Sequence, residues 1–146
     1  MSKSVRIYEV GPRDGLQNEK EVIAPADKIE FINLLSESGL TKIEATSFVR
    51  PGVIPQLSDA AEVYTGISKK PDVTYCALVP NKTGMEKALE CKIQEAAVFT
   101  AASDSFTKKN INCTIQESLD RFKDVMRLAR EASVPIRGYV STIVEC

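Results

Sequence analysis

The chain has 146 residues, 43% of them hydrophobic and 27% charged, a composition typical of one globular domain. Its 19 basic and 20 acidic residues leave a net charge of -1, which argues against nucleic-acid or acidic-membrane partners. No apolar run approaches the roughly 18 residues of a membrane span, and without a histidine the chain cannot itself supply an imidazole to any mechanism.

Strand and helix patterns alternate along the whole chain. Five β-rich runs predict strands, at residues 5–10, 42–46, 73–79, 93–99 and 136–140. A helix is predicted after each of the first four strands, with first residues or caps at Pro25, Ser58 or Asp59, Asn81 and Thr114. Residues 101–113 are predicted to form a polar loop.

Apolar residues at helical spacing predict which helix faces are buried. The expected core stripe of the first helix is Ile29, Ile32 and Leu35, with Gly39 as its stop. The third helix carries Met85, Ala88 and Leu89. The stripe of the long last helix is Leu119, Phe122, Val125, Met126 and Ala129.

Four β-loop-α units followed by a fifth strand imply parallel strands with helical crossovers. One architecture with this pattern is the (β/α)8 TIM barrel, which needs about 250 residues, so this chain would supply little more than half of it. The alternative is an open five-stranded sheet. Both architectures place active sites at the carboxyl ends of the strands, and periodicity alone cannot choose between them.

The four cysteines contain no C-x-x-C pair, so reduced and partly buried thiols are expected in place of a disulfide framework. The first residues lead directly into a strand pattern and carry no secretory or transit signal. We therefore expect a cytoplasmic protein. The alternative is a mitochondrial-matrix enzyme from which a leader has been removed.

The loop after the first predicted strand carries the strongest chemical signal. Arg13 and Asp14 are held between Gly11-Pro12 and Gly15, which fix a tight backbone path. A carboxylate such as Asp14 is a ligand for a hard divalent ion, and a guanidinium beside it could stabilise an enolate oxygen. Gln17 could bind the substrate or orient Arg13. The alternative is a turn in which Arg13 and Asp14 form a surface ion pair.

Glu44 lies inside the second predicted strand, where a carboxylate facing a packed core would be costly. We expect its side chain to meet Arg13, another cation or a polar cavity. The alternative is a glutamate that faces outward beneath a helix.

Other polar residues follow later strands. The run Lys108-Lys109-Asn110-Ile111-Asn112 could meet a phosphate or an acidic cofactor tail, although a solvated loop is the commoner role. Asn81 is most simply a helix cap. Ser141 and Thr142 could line a cavity or merely end the fifth strand.

Several segments together resemble one enzyme family over essentially all 146 residues. The first, residues 10–19, is highly specific, and its Leu16-Gln17-Asn18-Glu19 continuation disfavours related Claisen-type synthases that share the Arg-Asp pair. The others, in order, are residues 43–49, 78–81, 101–103, 107–112 and 137–141. These motifs resemble 3-hydroxy-3-methylglutaryl-CoA lyases.

The resemblance implies a TIM barrel, formed here by residues 1–146 as one partial catalytic domain. It implies cleavage of 3-hydroxy-3-methylglutaryl-CoA to acetyl-CoA and acetoacetate, a step of leucine degradation and ketone-body formation, with Mg2+ or Mn2+ as cofactor. Transferred to matching positions, Asp14 is a metal ligand and Arg13 a catalytic, substrate-binding residue. Glu44 is a catalytic residue supporting Arg13, and Gln17 binds substrate. An acyl-CoA partner and a homo-oligomer are expected.

The sequence also departs from the family pattern. The family uses two metal-ligating histidines, an asparagine and a reactive cysteine from later strands and loops, and no position here matches them. We therefore expect this chain alone to be inactive. Two alternatives stay open: a half-barrel that serves as a binding or assembly module, and a related Claisen-type synthase. Unpaired strand edges predict self-association.

Overall fold

The computed structural model describes residues 5–50 and 52–144 of the chain. In this part of the chain four parallel strands form one sheet, in the spatial order β1-β2-β3-β4. The strands are β1 (Lys42–Ser47), β2 (Thr74–Leu78), β3 (Glu95–Ala101) and β4 (Ile136–Ser141). Each strand therefore pairs with its successor in the chain, and helical crossovers connect the parallel neighbours.

Helices precede β1 and connect the strands. They are α1 (Pro25–Ser36), α2 (Ala60–Gly66), α3 (Lys82–Glu90), α4 (Asp104–Ile111) and α5 (Ile115–Glu131). Short helical turns cover Gly11–Gly15, Leu16–Asn18 and Pro55–Leu57. The alternation of parallel strands with helices confirms the predicted α/β class.

The main core lies between one face of the sheet and the helices. Its fully buried members include Ile43 and Tyr75 from the strands, and Ile32, Met85 and Val125 from the helices. Burial of these large side chains removes apolar surface from water and is the main source of stability. The opposite face of the sheet carries a smaller cluster of Cys76, Leu78 and Ala97, packed by Tyr8, Phe99 and Tyr139.

Local signals explain where two of the helices begin. Asn81 accepts a hydrogen bond from the backbone N–H of Gly84 at 3.0 Å and caps α3. Thr114 and Glu117 form the predicted capping box at the start of α5. Gly39 has a φ of +85°, so it follows α1 in the left-handed region that favours glycine.

The first predicted strand is wrong as a strand. Residues 5–10 form only one parallel bridge, between Glu9 and Ile43, because the chain leaves the sheet edge at Val10 and enters a helical turn. Val5 and Ile7 are largely exposed, so no apolar burial favours further pairing there. The segment still lies beside β1, where the barrel topology would place it.

The predicted polar loop at 101–113 is also wrong, because α4 lies within it. Ser103 accepts from the Phe106 N–H and begins the helix, and Asn112 ends it with a φ of +50°. The basic run from Lys108 onward is therefore mainly the last turn of α4.

Two residues predicted for the core of α5 are half-exposed. Leu119 and Met126 are 44% and 45% exposed, whereas Val125 and Ala129 of the same helix are buried. Leu119 and Met126 line a groove outside the sheet together with Val98. In the described part of the chain, no element covers this flank of α5.

Cys76 and Cys113 are buried free thiols and Cys91 is partly buried, as expected for reduced cysteines. The fourth, Cys146, lies outside the described residues. Among the described helices, none is both long enough and apolar enough to cross a bilayer.

Candidate active site

A cleft of about 770 Å3 opens where the carboxyl ends of the four strands meet. It is lined by residues from the segment before β1, from the loops after β1 and β2, from β2, β3 and β4, and from α4 and α5: Val10, Arg13, Asp14, Gln17, Val49, Arg50, Val53, Ile54, Leu78, Pro80, Asn81, Phe99, Phe106, Asn110, Ile111, Asn112, Arg121, Tyr139, Val140 and Ser141. This edge of a parallel sheet is where ligand sites are found in both barrels and open sheets.

The loop that carries Arg13 and Asp14 is folded as a tight helical turn. The backbone N–H groups of both residues donate to the carbonyl of Val10, at 3.1 and 2.7 Å. The start of the turn is held by Glu9, whose carboxylate accepts from the Gly11 N–H at 2.6 Å. A Cβ at Gly11 would lie 2.8 Å from that carboxylate, so a larger residue there would displace the Glu9 side chain.

Arg13 is held between two carboxylates. Its Nε donates to Oε1 of Glu44 at 2.5 Å, and its Nη1 donates to Oδ1 of Asp14 at 2.6 Å. Glu44 is fully buried, whereas Asp14 is 55% exposed. The predicted contact between Glu44 and Arg13 is present, and the predicted Arg13–Asp14 ion pair coexists with it. Three of the five guanidinium N–H groups remain for other acceptors at the cleft.

Glu44 also accepts two neutral donors from neighbouring strands. The Tyr139 hydroxyl donates to Oε2 at 2.8 Å, and the Cys76 thiol donates to the same oxygen at 3.6 Å. The Tyr8 hydroxyl donates in turn to the Cys76 sulfur. The buried Glu44 carboxylate therefore has one cationic and two neutral hydrogen-bond donors.

The protonation of these donors is consistent with their roles. Burial raises the pKa of Cys76, and the nearby Glu44 charge raises that pKa further. Burial followed by the Glu44 charge likewise raises the pKa of Tyr139. Both groups therefore keep their protons at neutral pH and donate to Glu44.

Charge in the cleft is predominantly positive. Arg13, Arg50 and Arg121 line it, whereas Asp14 is the only acidic side chain among its lining residues. Such a balance favours an anionic ligand and disfavours a cationic one.

Asp14 is the carboxylate of this cleft that a divalent cation could reach. Within residues 5–50 and 52–144, no group of three histidine, cysteine or acidic side chains is arranged to hold a metal ion. The described residues thus offer one oxygen ligand of the kind that Mg2+ and Mn2+ prefer, and do not form a complete site.

Most of the remaining predicted residues lie at the same cleft, but Thr142 is not among its lining residues. Gln17 lines it beside Arg13, and Ser141 lines it at the end of β4. Asn81 does two things, since it caps α3 and also lines the cleft. From the basic run, Asn110 and Asn112 reach the lining, whereas Lys108 and Lys109 do not.

Sequence reasoning missed Tyr139 and Cys76 as partners of Glu44, and it missed Arg121 as a lining residue. Tyr139 could have been found, because Arg137, Tyr139 and Ser141 alternate along β4 and must share a face. Cys76 could be identified as a partner only from the parallel register, which places it opposite Glu44. Arg121 lies on the polar side of α5 and had no distinguishing local signal.

The chain is similar to known lyases over nearly its whole length. It is 56% identical over 142 residues to the mitochondrial hydroxymethylglutaryl-CoA lyase of Gallus gallus, covering 97% of this chain and 48% of that protein. It is 57% identical over 143 residues to the cytoplasmic 3-hydroxy-3-methylglutaryl-CoA lyase of Rattus norvegicus, covering 97% of this chain and 41% of that protein.

The chain is also similar to solved structures of lyases. The hydroxymethylglutaryl-CoA lyase of Pseudomonas aeruginosa matches with a TM-score of 0.95 and 53% identity, over 99% of this chain and 48% of that one. An HMG-CoA lyase from Acinetobacter baumannii, in complex with coenzyme A and 3-methylmalate, matches with a TM-score of 0.91 and 36% identity, over 97% and 46%.

These matches confirm the predicted fold class, with the four parallel strands corresponding to part of the TIM barrel of the lyases. The chain spans about half the length of the curated relatives it matches. The HMGL-like protein family matches residues 4–143. The chain therefore belongs to the HMGL-like family.

Proposed function

We propose that the protein carrying this chain cleaves 3-hydroxy-3-methylglutaryl-CoA to acetyl-CoA and acetoacetate. The observation that carries the proposal is the Arg13 guanidinium, fixed by a buried Glu44 at the mouth of a cationic cleft. The names of the relatives and the shared fold support the same activity. Residues 1–146 would form one partial barrel domain.

In the reaction the substrate hydroxyl gives its proton to a general base, the adjacent carbon–carbon bond breaks, and the hydroxyl oxygen becomes the ketone of acetoacetate. The CoA-bearing fragment leaves as an enolate, which must be stabilised until it takes up a proton to form acetyl-CoA. Arg13 would supply that stabilisation through the N–H groups not used by Glu44 and Asp14. Because Glu44 fixes Nε, the guanidinium plane is oriented before the substrate binds. Electrostatic stabilisation by preorganised donors of this kind is usually the largest single contribution to catalysis.

Asp14 is proposed as one ligand of a divalent cation, Mg2+ or Mn2+, whose other ligands come from outside the described residues. When bound, the cation would polarise substrate oxygens as a Lewis acid. The exposure of Asp14 supports the assignment, since its second oxygen is not taken by Arg13. Gln17 would bind the substrate from the adjacent turn.

An acyl-CoA substrate carries phosphates and a carboxylate, which match the positive charge of the cleft. The Acinetobacter baumannii relative was solved with coenzyme A.

We propose no nucleic-acid or membrane partner. A homo-oligomer is proposed because the half-exposed Leu119 and Met126 leave an apolar groove. Relatives include cytoplasmic and mitochondrial forms, and we propose a cytoplasmic location here.

Product analysis tests this function and separates it from its alternatives. Residues 1–146 are prepared alone and joined to the part of the Pseudomonas aeruginosa lyase that they do not cover. With Mg2+, the joined protein is expected to convert 3-hydroxy-3-methylglutaryl-CoA into equal amounts of acetyl-CoA and acetoacetate, and the 146 residues alone to form neither. Binding without either product would overturn the lyase function, and condensation of acetyl-CoA with a 2-oxo acid would indicate a Claisen-type synthase.

A further inference from the structure

A buried lysine links three segments next to the Arg13 loop. Lys28 of α1 is 3% exposed, and its Nζ donates to both oxygens of Asp59, at 2.8 and 3.0 Å. The same Nζ donates to the backbone carbonyl of Gln56, in the turn Pro55–Leu57. Lysine is almost never this buried unless it is paired, so these contacts fix the turn against α1 and the start of α2.

The side chain of Gln56 extends this linkage to the Arg13 loop. Its Nε2 donates to the backbone carbonyl of Glu19 at 2.6 Å. Glu19 directly follows the turn Leu16–Asn18, and its own N–H donates to the Leu16 carbonyl at 3.2 Å. Gln56 is therefore the contact through which the lysine-anchored turn holds the far end of the loop.

The near end of the loop is held independently. Glu9 bridges to β1 through two backbone hydrogen bonds, one to the carbonyl of Lys42 and one from the N–H of Glu44. The loop thus has one anchor in the sheet and a second one in the turn Pro55–Leu57. Arg13 and Asp14 lie between these anchors, so both anchors determine where their side chains point.

We propose that Gln56, held in place by Lys28 and Asp59, is a positioning residue for Arg13 and Asp14. This inference rests on the proposed lyase function for its catalytic consequence. Gln56 does not touch the reacting atoms; it limits the movement of the loop backbone. Displacement of a catalytic group by about 1 Å can lower a rate by about 100-fold, so a loop anchor has measurable leverage.

The first test measures the loop directly, without reference to activity. Gln56→Ala removes the donor, and Gln56→Glu keeps the size of the side chain while losing the donor. Asn33→Ala is the matched control, because Asn33 accepts from the Ser68 N–H at 2.8 Å and links α1 to another loop. In the 146-residue chain, amide hydrogen exchange in residues 11–19 is expected to rise about three- to tenfold in both Gln56 variants, the equivalent of one lost hydrogen bond.

Exchange in residues 11–19 that equals the wild type in both Gln56 variants would overturn the proposal. So would an equal increase in the Asn33→Ala control, because the effect would then be general loosening. This result holds whether or not the protein is a lyase. An inactive wild-type joined protein would count against the proposed function alone, since the exchange data would still decide whether Gln56 anchors the loop.

The second test measures the catalytic consequence in the joined protein. Both Gln56 variants are expected to lower kcat about tenfold with less than a twofold change in KM, because Arg13 would act mainly in the transition state. Lys28→Met is expected to lower kcat in the same way. Lys28→Arg can still donate to Asp59 and to the Gln56 carbonyl, so it is expected to retain most of the wild-type kcat. A kcat in the Gln56 variants equal to that of Asn33→Ala would overturn the positioning role.

Discussion

Loss of the buried Glu44 carboxylate should destabilise the fold by about 3 kcal/mol. Glu44→Leu keeps a side chain of similar size but leaves Arg13 without its buried acceptor, and breaking a buried pair from one side typically costs about 3–5 kcal/mol. The lower end applies because Arg13 is 14% exposed and keeps Asp14. Tyr139 is only partly buried, so its hydroxyl can turn to water and adds little.

Urea unfolding of the 146-residue chain, followed by circular dichroism, measures this loss. The double variant Arg13→Met/Glu44→Leu should recover at least half of it, because an apolar pair no longer leaves a buried charge unpaired. Asp14→Asn is the control and should change the free energy of unfolding by less than about 1 kcal/mol, since Asp14 is exposed. A change below about 1 kcal/mol in Glu44→Leu would refute the claim that Glu44 is the buried anchor of Arg13.

Three further predictions concern the scaffold, each measured by urea unfolding. Gly84→Ala places a Cβ 2.5 Å from the Phe48 carbonyl oxygen and should cost about 2 kcal/mol; an unchanged stability would show that α3 can shift away. Thr114→Ala removes the α5 cap and should cost about 1 kcal/mol, whereas no loss would mean the capping box is dispensable. Because the pKa of Cys76 is raised, the folded chain retains the thiol proton above pH 9.0, where the unfolded chain releases it. The free energy of unfolding should therefore fall as the pH rises above 9.0, by up to about 1.4 kcal/mol per pH unit. In Cys76→Ala the free energy of unfolding should fall less between pH 9 and 10 than in the wild type. An equal fall in the two proteins would contradict the raised pKa of Cys76.

Elements with strong local signals were predictable from the sequence. The capping residues Asn81 and Thr114 each satisfy backbone N–H groups within their own first turn, so no tertiary information is needed to find them. The middle of β3, from Ala96 to Val98, likewise consists of apolar and small residues because both faces of the sheet are covered there.

Elements that depend on distant neighbours were not predictable. Residues 5–10 have the composition of a strand, but only Glu9 pairs with β1 before the chain turns. The α4 segment is polar on its outer face, and its sequence differs little from that of a solvated loop. Leu119 and Met126 fit the helical stripe of α5, yet burial requires an opposing element as well as a stripe.

The residues of the site also divide into those with a local sequence signal and those that depend on distant neighbours. Arg13 and Asp14 stand out because Gly11-Pro12 and Gly15 mark a constrained loop, and Glu44 stands out because a carboxylate in a buried strand needs a partner. The resemblance already implied that Glu44 supports Arg13, and the structure contains that contact. That Tyr139 and Cys76 also donate to Glu44 depends on the register of the parallel strands. Residues contributed by separate strands leave no common local pattern in the sequence.

Stabilisation of the enolate is the role proposed for Arg13, and replacing its guanidinium within an otherwise intact site is the decisive test of that role. Arg13→Lys keeps the positive charge but loses the planar fork that lets one side chain bond Glu44 and face the cleft. In the joined protein, with folding verified by circular dichroism, kcat for 3-hydroxy-3-methylglutaryl-CoA cleavage should fall at least about 100-fold while KM changes little. A variant that retains wild-type kcat would contradict the claim.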